Sequence, residues 1–251
     1  MGEQPPLLKL VVGALGLAVG IAPAAVAQQA PEPGQHLYEQ HCALCHLDSG
    51  AGDTPTFPAL RANNQLGDLA RIVRSINAGS RRMPPFPALT AEDISSLANY
   101  IRNAWANDFG GVTTEEVTAV QEGLGEAGPM ASVWDGIFTE AQATRGQAVY
   151  TGACAICHGR RLNGAPDDPD MRSTPPLARA RFLRVWEGRS LATLFAYTGA
   201  TMPEDNPSSL TDQENVDVIA YLLSAGGMPA GDDELQADPR SLARVLIGPQ
   251  P

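Results

Sequence analysis

Lysine is almost missing from this chain: Lys9 is the only one, so nearly every fixed positive charge is an arginine. Acids outnumber bases, 28 against 17, for a net charge of −11 at pH 7. Setting aside Glu3 and Lys9 leaves 27 acids against 16 arginines and the same net −11. That balance argues against nucleic acid or anionic lipid as a partner. Strand-type alternation of any length is also missing, so both halves of the chain are expected to be helical. Long apolar runs are missing too. The run from Leu10 to Ile21 falls short of the roughly 20 residues a bilayer-spanning helix needs, and no other stretch approaches that length.

The short apolar run has a different meaning. Pro23 breaks it, and Ala25-Val26-Ala27 offers a small-residue cleavage site before Gln28, the anatomy of a secretory signal peptide. Residues 1–27 are therefore expected to leave on export, with an uncleaved anchor as the alternative. The mature chain is expected to be soluble and periplasmic, with no integral membrane segment after cleavage. It is long enough for two small domains.

Cysteine is scarce and concentrated. All four sit in two copies of one pentapeptide, Cys42-Ala43-Leu44-Cys45-His46 and Cys154-Ala155-Ile156-Cys157-His158. C-x-x-C-H is the attachment signature of c-type haem. Cysteines three apart on a helical turn can each bond one vinyl group of the same porphyrin. The histidine that follows then lies under the iron as its proximal ligand. Two covalent haems, held by Cys42 and Cys45 and by Cys154 and Cys157, with His46 and His158 on iron, are the expectation. A zinc or thiol-redox site is the alternative. It would have to bring together pairs far apart in the chain, and it leaves the identical trailing histidines unexplained.

An internal repeat divides the chain. Gly34, Tyr38 and Cys42 are spaced by four, and Gly146, Tyr150 and Cys154 repeat that spacing. Each motif is followed by a proline-rich turn, Phe57-Pro58-Ala59-Leu60 or Pro175-Pro176-Leu177, then an apolar-periodic stretch, a Met-Pro pair and a final amphipathic helix. The final helices are expected from about Ala91 to Asn103 and from about Asp212 to Ser224, capped by Thr90 and Thr211. Their inward stripes are Ile94, Leu97, Ala98 and Ile101, and Val216, Ile219, Ala220 and Leu223. Between the repeats, residues 111–135 carry Glu115, Glu116, Glu122, Glu126 and Asp135 with no base, among several glycines. That segment reads as an acidic linker with one short helix near Thr113–Val120. The expected layout is domain 1 over 28–110, linker 111–135, domain 2 over 136–224 and a tail over 225–251.

These motifs, over nearly the whole mature chain, resemble the class I cytochromes c in a tandem dihaem form. The fold class implied is all-α, two consecutive class I cytochrome c domains joined by the linker. The resemblance also implies a methionine as sixth iron ligand: Met83 in Arg82-Met83-Pro84 and Met202 in Thr201-Met202-Pro203. Met130, Met171 and Met228 are read as packing or loop residues, and His36 and His41 as helix residues. In the family a proline carbonyl often orients the proximal histidine, with Pro58 and Pro176 as candidates here. Propionate partners are sought among Arg71, Arg74, Arg81 and Arg82, and among Arg179, Arg181, Arg184 and Arg189 beside Trp186, against a solvated arginine face.

Both halves look like the cytochrome domains that accompany periplasmic dehydrogenases. The function implied is electron transfer from a dehydrogenase to a downstream cytochrome or terminal oxidase. The alternative is a dihaem redox enzyme of peroxidase type with one open iron site. The Met-Pro pair in each half argues against it.

Overall fold

In each half a helix ending at the haem motif is crossed by the final helix, and the rest of the half is arranged around that crossing. The computed structural model describes residues 1–2, 32–53, 56–80, 82–124, 128–164 and 175–251. The export segment expected over 1–27, apart from its first two residues, lies outside the described residues, as do Arg81, Gly125, Glu126 and Met171. Pro31–Pro251 cluster as one compact unit.

In the first half, α1 (Pro33–His41) opens on a proline, whose missing N–H costs nothing in a first turn. It runs into α2 (Ala43–His46) through Cys42. A 3₁₀ turn leads to α3 (Leu69–Ala78), capped by Asp68. Both α4 (Ala91–Asn103) and α5 (Thr114–Gln121) begin with a capping box, in which a threonine and an acid three residues on satisfy each other's backbone N–H. The pairs are Thr90 with Asp93 and Thr113 with Glu116.

The second half repeats this plan. After the short β1 (Ala131–Ser132) come α6 (Glu140–Ala153) and α7 (Ala155–His158), then α8 (Arg179–Trp186) and α9 (Leu191–Thr201). The final helix, α10 (Asp212–Ala225), starts from a third capping box, Thr211 with Glu214. The chain ends through α11 (Pro239–Leu242) and β2 (Val245–Leu246), and β2 pairs in parallel with β1. Apart from this two-residue ladder the named elements are helical, as the missing alternation implied.

Glycine makes each crossing possible. α1 crosses α4, and α6 crosses α10. A Cβ at Gly34 would run into the Ser96 carbonyl, and one at Gly146 into the Asp217 carbonyl. The repeated glycine is therefore where two helix backbones meet. The expected stripes all face inward: Ile94, Leu97, Ala98 and Ile101 are buried in one apolar cluster, and Val216, Ile219, Ala220 and Leu223 in another.

The segments flanking the second repeat are built into these clusters. Val117 of α5 is buried in the first cluster, and Val133 in the second. From the C-terminal residues, Met228, Leu235, Leu242, Ala243, Val245 and Ile247 are buried in the second cluster. A polar knot fastens this stretch to the crossing. Buried Gln142 donates to Asp217 Oδ1 (3.1 Å) and to the Leu235 carbonyl (2.9 Å), and accepts from Leu235 N–H (2.9 Å). Arg145 spans Asp217 and Glu234, at 3.0 and 2.8 Å.

Candidate haem sites

The turn that carries each motif is fixed from both ends. Cys42 N–H donates to the Tyr38 carbonyl and His46 N–H to the Cys42 carbonyl, so helical geometry carries across the motif. Tyr38, fully buried, then reaches over it and donates its hydroxyl to the Leu47 carbonyl, 2.6 Å. Tyr150 does the same in the second half, donating to the Gly159 carbonyl at 2.7 Å. The tyrosine spaced four before each first cysteine is thus a strut across the motif.

Each motif histidine is also oriented. His46 Nδ1 lies 2.9 Å from the Pro58 carbonyl, and His158 Nδ1 lies 2.9 Å from the Pro175 carbonyl. A carbonyl can only accept, so Nδ1 carries the proton and Nε2 keeps its lone pair for a metal. Pro58 is the residue expected; in the second half Pro175 does what was expected of Pro176. Two successive prolines offer two carbonyls, and only the path of the loop decides which one faces the ring.

In the first half the site surrounds a cavity of about 640 Å³. Cys42, Cys45 and His46 line it together with Met83. Met83 is held by a tight turn. Ser80 N–H donates to the Met83 carbonyl (3.0 Å) and Met83 N–H to the Ser80 carbonyl (2.8 Å). Gly79 makes the turn possible: its φ is +72°, and a Cβ there would come within 2.7 Å of the Met83 carbonyl oxygen. The Phe86 N–H anchors the far side of the loop to the Ile76 carbonyl of α3, 2.7 Å. Of the arginines expected near this haem, Arg71 and Arg82 line the cavity.

Burial sets the electrostatics. It pushes the Cys42 thiol up to about 12 and the Cys45 thiol to about 11, and in the second motif the Cys154 thiol to about 11. Burial also lowers His46, partly opposed by the Pro58 hydrogen bond. His41 drops to about 4, first through burial and then through the charge of Arg189.

The second site places its residues at matching points of the repeat. Cys154 joins α6 to α7, His158 ends α7 and is buried, and Met202 caps the C-terminus of α9, its N–H donating to the Thr198 carbonyl at 2.8 Å. Of the arginines before Met202, Arg179, Arg181 and Arg184 are exposed, in keeping with a solvated arginine face, and Arg189 reaches the first motif.

The residues present fit haem c. Two thiols and an oriented imidazole share one turn, and Met83 lines the same cavity. A zinc site would need the two cysteine pairs together. Among the described residues no three His, Cys, Asp or Glu side chains are grouped to hold a metal ion. Nor is any described helix long and apolar enough to cross a membrane.

Comparison with known proteins agrees with the repeat. A family model described as cytochrome c oxidase, cbb3-type, subunit III matches residues 29–101 and again 141–222. The cytochrome c subunit of a quinone alcohol dehydrogenase from Gluconacetobacter polyoxogenes is 30% identical over 105 residues, 36% of this chain and 22% of the relative. The chain thus spans under a quarter of that relative's length. Cytochrome c6 of Cyanidium caldarium is 31% identical over 77 residues, 28% of this chain and 67% of the relative. Among solved structures, a chain of the Kuenenia stuttgartiensis reducing HAO-like protein complex matches at 20% identity and a TM-score of 0.30. That match covers 78% of this chain and 97% of the other, a likeness too weak to bear on fold or function. With one family model matched on both halves, and a haem-attachment motif in each match, the chain belongs to the cbb3-type subunit III family of cytochromes c, as a tandem of class I electron-transfer domains that bind haem c.

Proposed function

We propose that the chain carries two haems c, each closed by histidine and methionine, and passes single electrons from a dehydrogenase to a downstream cytochrome or terminal oxidase in the periplasm. One observation carries this most directly. Met83 shares a cavity with His46 and both motif cysteines. Haem c, when bound, supplies a one-electron iron couple whose potential methionine ligation raises.

The chain's own residues define the rest. Cys42, Cys45, Cys154 and Cys157 would anchor the haems, His46 and His158 would bind iron through Nε2, and Met83 and Met202 would supply the sixth ligands. A filled sixth position leaves no place for a substrate on iron, which suits a carrier. Similarity to a dehydrogenase cytochrome subunit supports a dehydrogenase as donor. The apolar run and Ala25-Val26-Ala27 support export, with residues 1–27 removed.

Haem count tests the proposal. Denatured chain from an expression host that attaches haem c should retain two haems by mass. Cys154→Ser with Cys157→Ser should leave one, with the first half's spectrum intact. A wild-type chain that retains a single haem would contradict it.

A further inference from the structure

The first haem site is not built by its own half alone. Arg189, one of the candidate arginines that precede Met202, donates Nε to the carbonyl of Gln40, two residues before Cys42, at 2.8 Å. Thr193, in the first turn of α9, lines the first cavity. Leu44, between the two cysteines of the first motif, packs against the second apolar cluster. The matching residue of the second motif, Ile156, is 70% exposed. The thioether edge of the first site is therefore covered by the second half.

Arg189 is held in place from several sides. Gly188 N–H donates to the Ile247 carbonyl (2.8 Å), and Ile247 N–H donates to the Arg189 carbonyl (2.9 Å). Gly188 has a φ of +77°, and a Cβ there would come within 2.6 Å of Gln40 Nε2. The guanidinium carbon lies 5.9 Å from the centre of the Trp186 ring, within cation–π range. Its charge is felt at both Cys42 and Cys45. Among the described residues no ion pair joins it to a carboxylate, so its field falls on the first motif. Guanidinium stays protonated at any ordinary pH.

We infer that Arg189 is a positioning residue of the first haem site contributed by the second half, a fixed cation at the thioether edge that raises the first haem's potential. Reduction adds one negative charge at the iron. A cation held nearby in a half-buried place favours the reduced form, and screening by salt there is weaker than at an exposed site. The Ile247 bonds make the C-terminal segment the support of this contact.

The inference rests on haem binding at Cys42 and Cys45, and its test separates the two claims. Arg189→Gln and Arg189→Lys would be made in the full chain with both haems attached, and each titrated by optical potentiometry. The wave of the first haem is identified in Met202→Ala, where the remaining methionine-to-iron band belongs to Met83. Arg189→Gln should shift that wave to lower potential and leave the other in place, and Arg189→Lys should retain most of the wild-type value. Two unmoved waves, two waves moving together, or a lysine variant displaced as far as the glutamine one would each overturn the inference while leaving the haem assignment standing. A chain lacking haem at Cys42 and Cys45 would overturn the haem reading itself.

Discussion

Met83 is placed by its neighbours on the wall of the first cavity, where the proposed function has it as the sixth ligand. The Ser80–Met83 turn, Gly79 at positive φ and the Phe86 anchor all fix the backbone that carries Met83, independently of the side chain. Met83→Ala should therefore keep the fold and lose the methionine-to-iron band of one haem only, with that haem opened to exogenous ligands. Met202→Ala should do the same at the other haem. Absorption spectra of the two variants check this: each should keep about half of the wild-type band, and a band at full wild-type intensity in either variant would end the assignment of that ligand. The motif residues were legible because their spacing is itself the chemistry: two cysteines three positions apart, with two residues between them, match the two vinyl groups of one porphyrin. Gly79 was not legible, because nothing in the sequence says that its Cβ would meet a carbonyl. Pro175 against Pro176 was ambiguous for the same reason, since two adjacent carbonyls differ only in where the loop points them.

At the level of elements, capping made the final helices readable. Thr90 with Asp93 and Thr211 with Glu214 mark the starts, and apolar periodicity marks the buried faces. The crossings were half readable. Gly34 and Gly146 stood out as repeated positions, yet their purpose, contact with Ser96 and Asp217 backbone, exists only once the helices meet. Gly146→Ala tests that purpose. Alanine ordinarily favours a helix interior by about 1 kcal/mol over glycine. Here overpacking should outweigh the gain and cost about 1–3 kcal/mol net, a drop of several degrees in melting temperature for a chain of this size. Thermal unfolding of the haem-loaded protein measures it. An unchanged or raised midpoint would mean that the helices do not touch at Gly146.

For the whole molecule, the two-half plan was legible from the repeat, whereas the joining of the halves was not. Composition made residues 111–135 look like a spacer, because glycine and acids dominate them. The apolar residues that matter, Val117 and Val133, are too few to show as a pattern. The residues after Ala225 read as a tail for the same reason. Their buried positions, from Met228 to Ile247, follow no helical or strand period, and their polar partners, Gln142 and Arg145, lie far back in the chain. Arg189 was one of several candidates grouped by their sequence distance to Met202, and that distance gave no sign of its bond to Gln40 beside the first motif. In the fold, β2 and its flanks turn that loop toward the first motif. Long-range packing of this kind leaves little local trace, so it emerges only when both halves are seen together.

The central claim is that both irons are closed by histidine and methionine, and carbon monoxide tests it most directly. The purified chain, fully reduced, would be titrated with carbon monoxide while its optical spectrum is followed. Two low-spin haems per chain, neither altered by the gas, is the result expected of an electron carrier with Met83 and Met202 in place. Carbon monoxide bound at either haem of the unmodified protein would show an open sixth site and contradict the account.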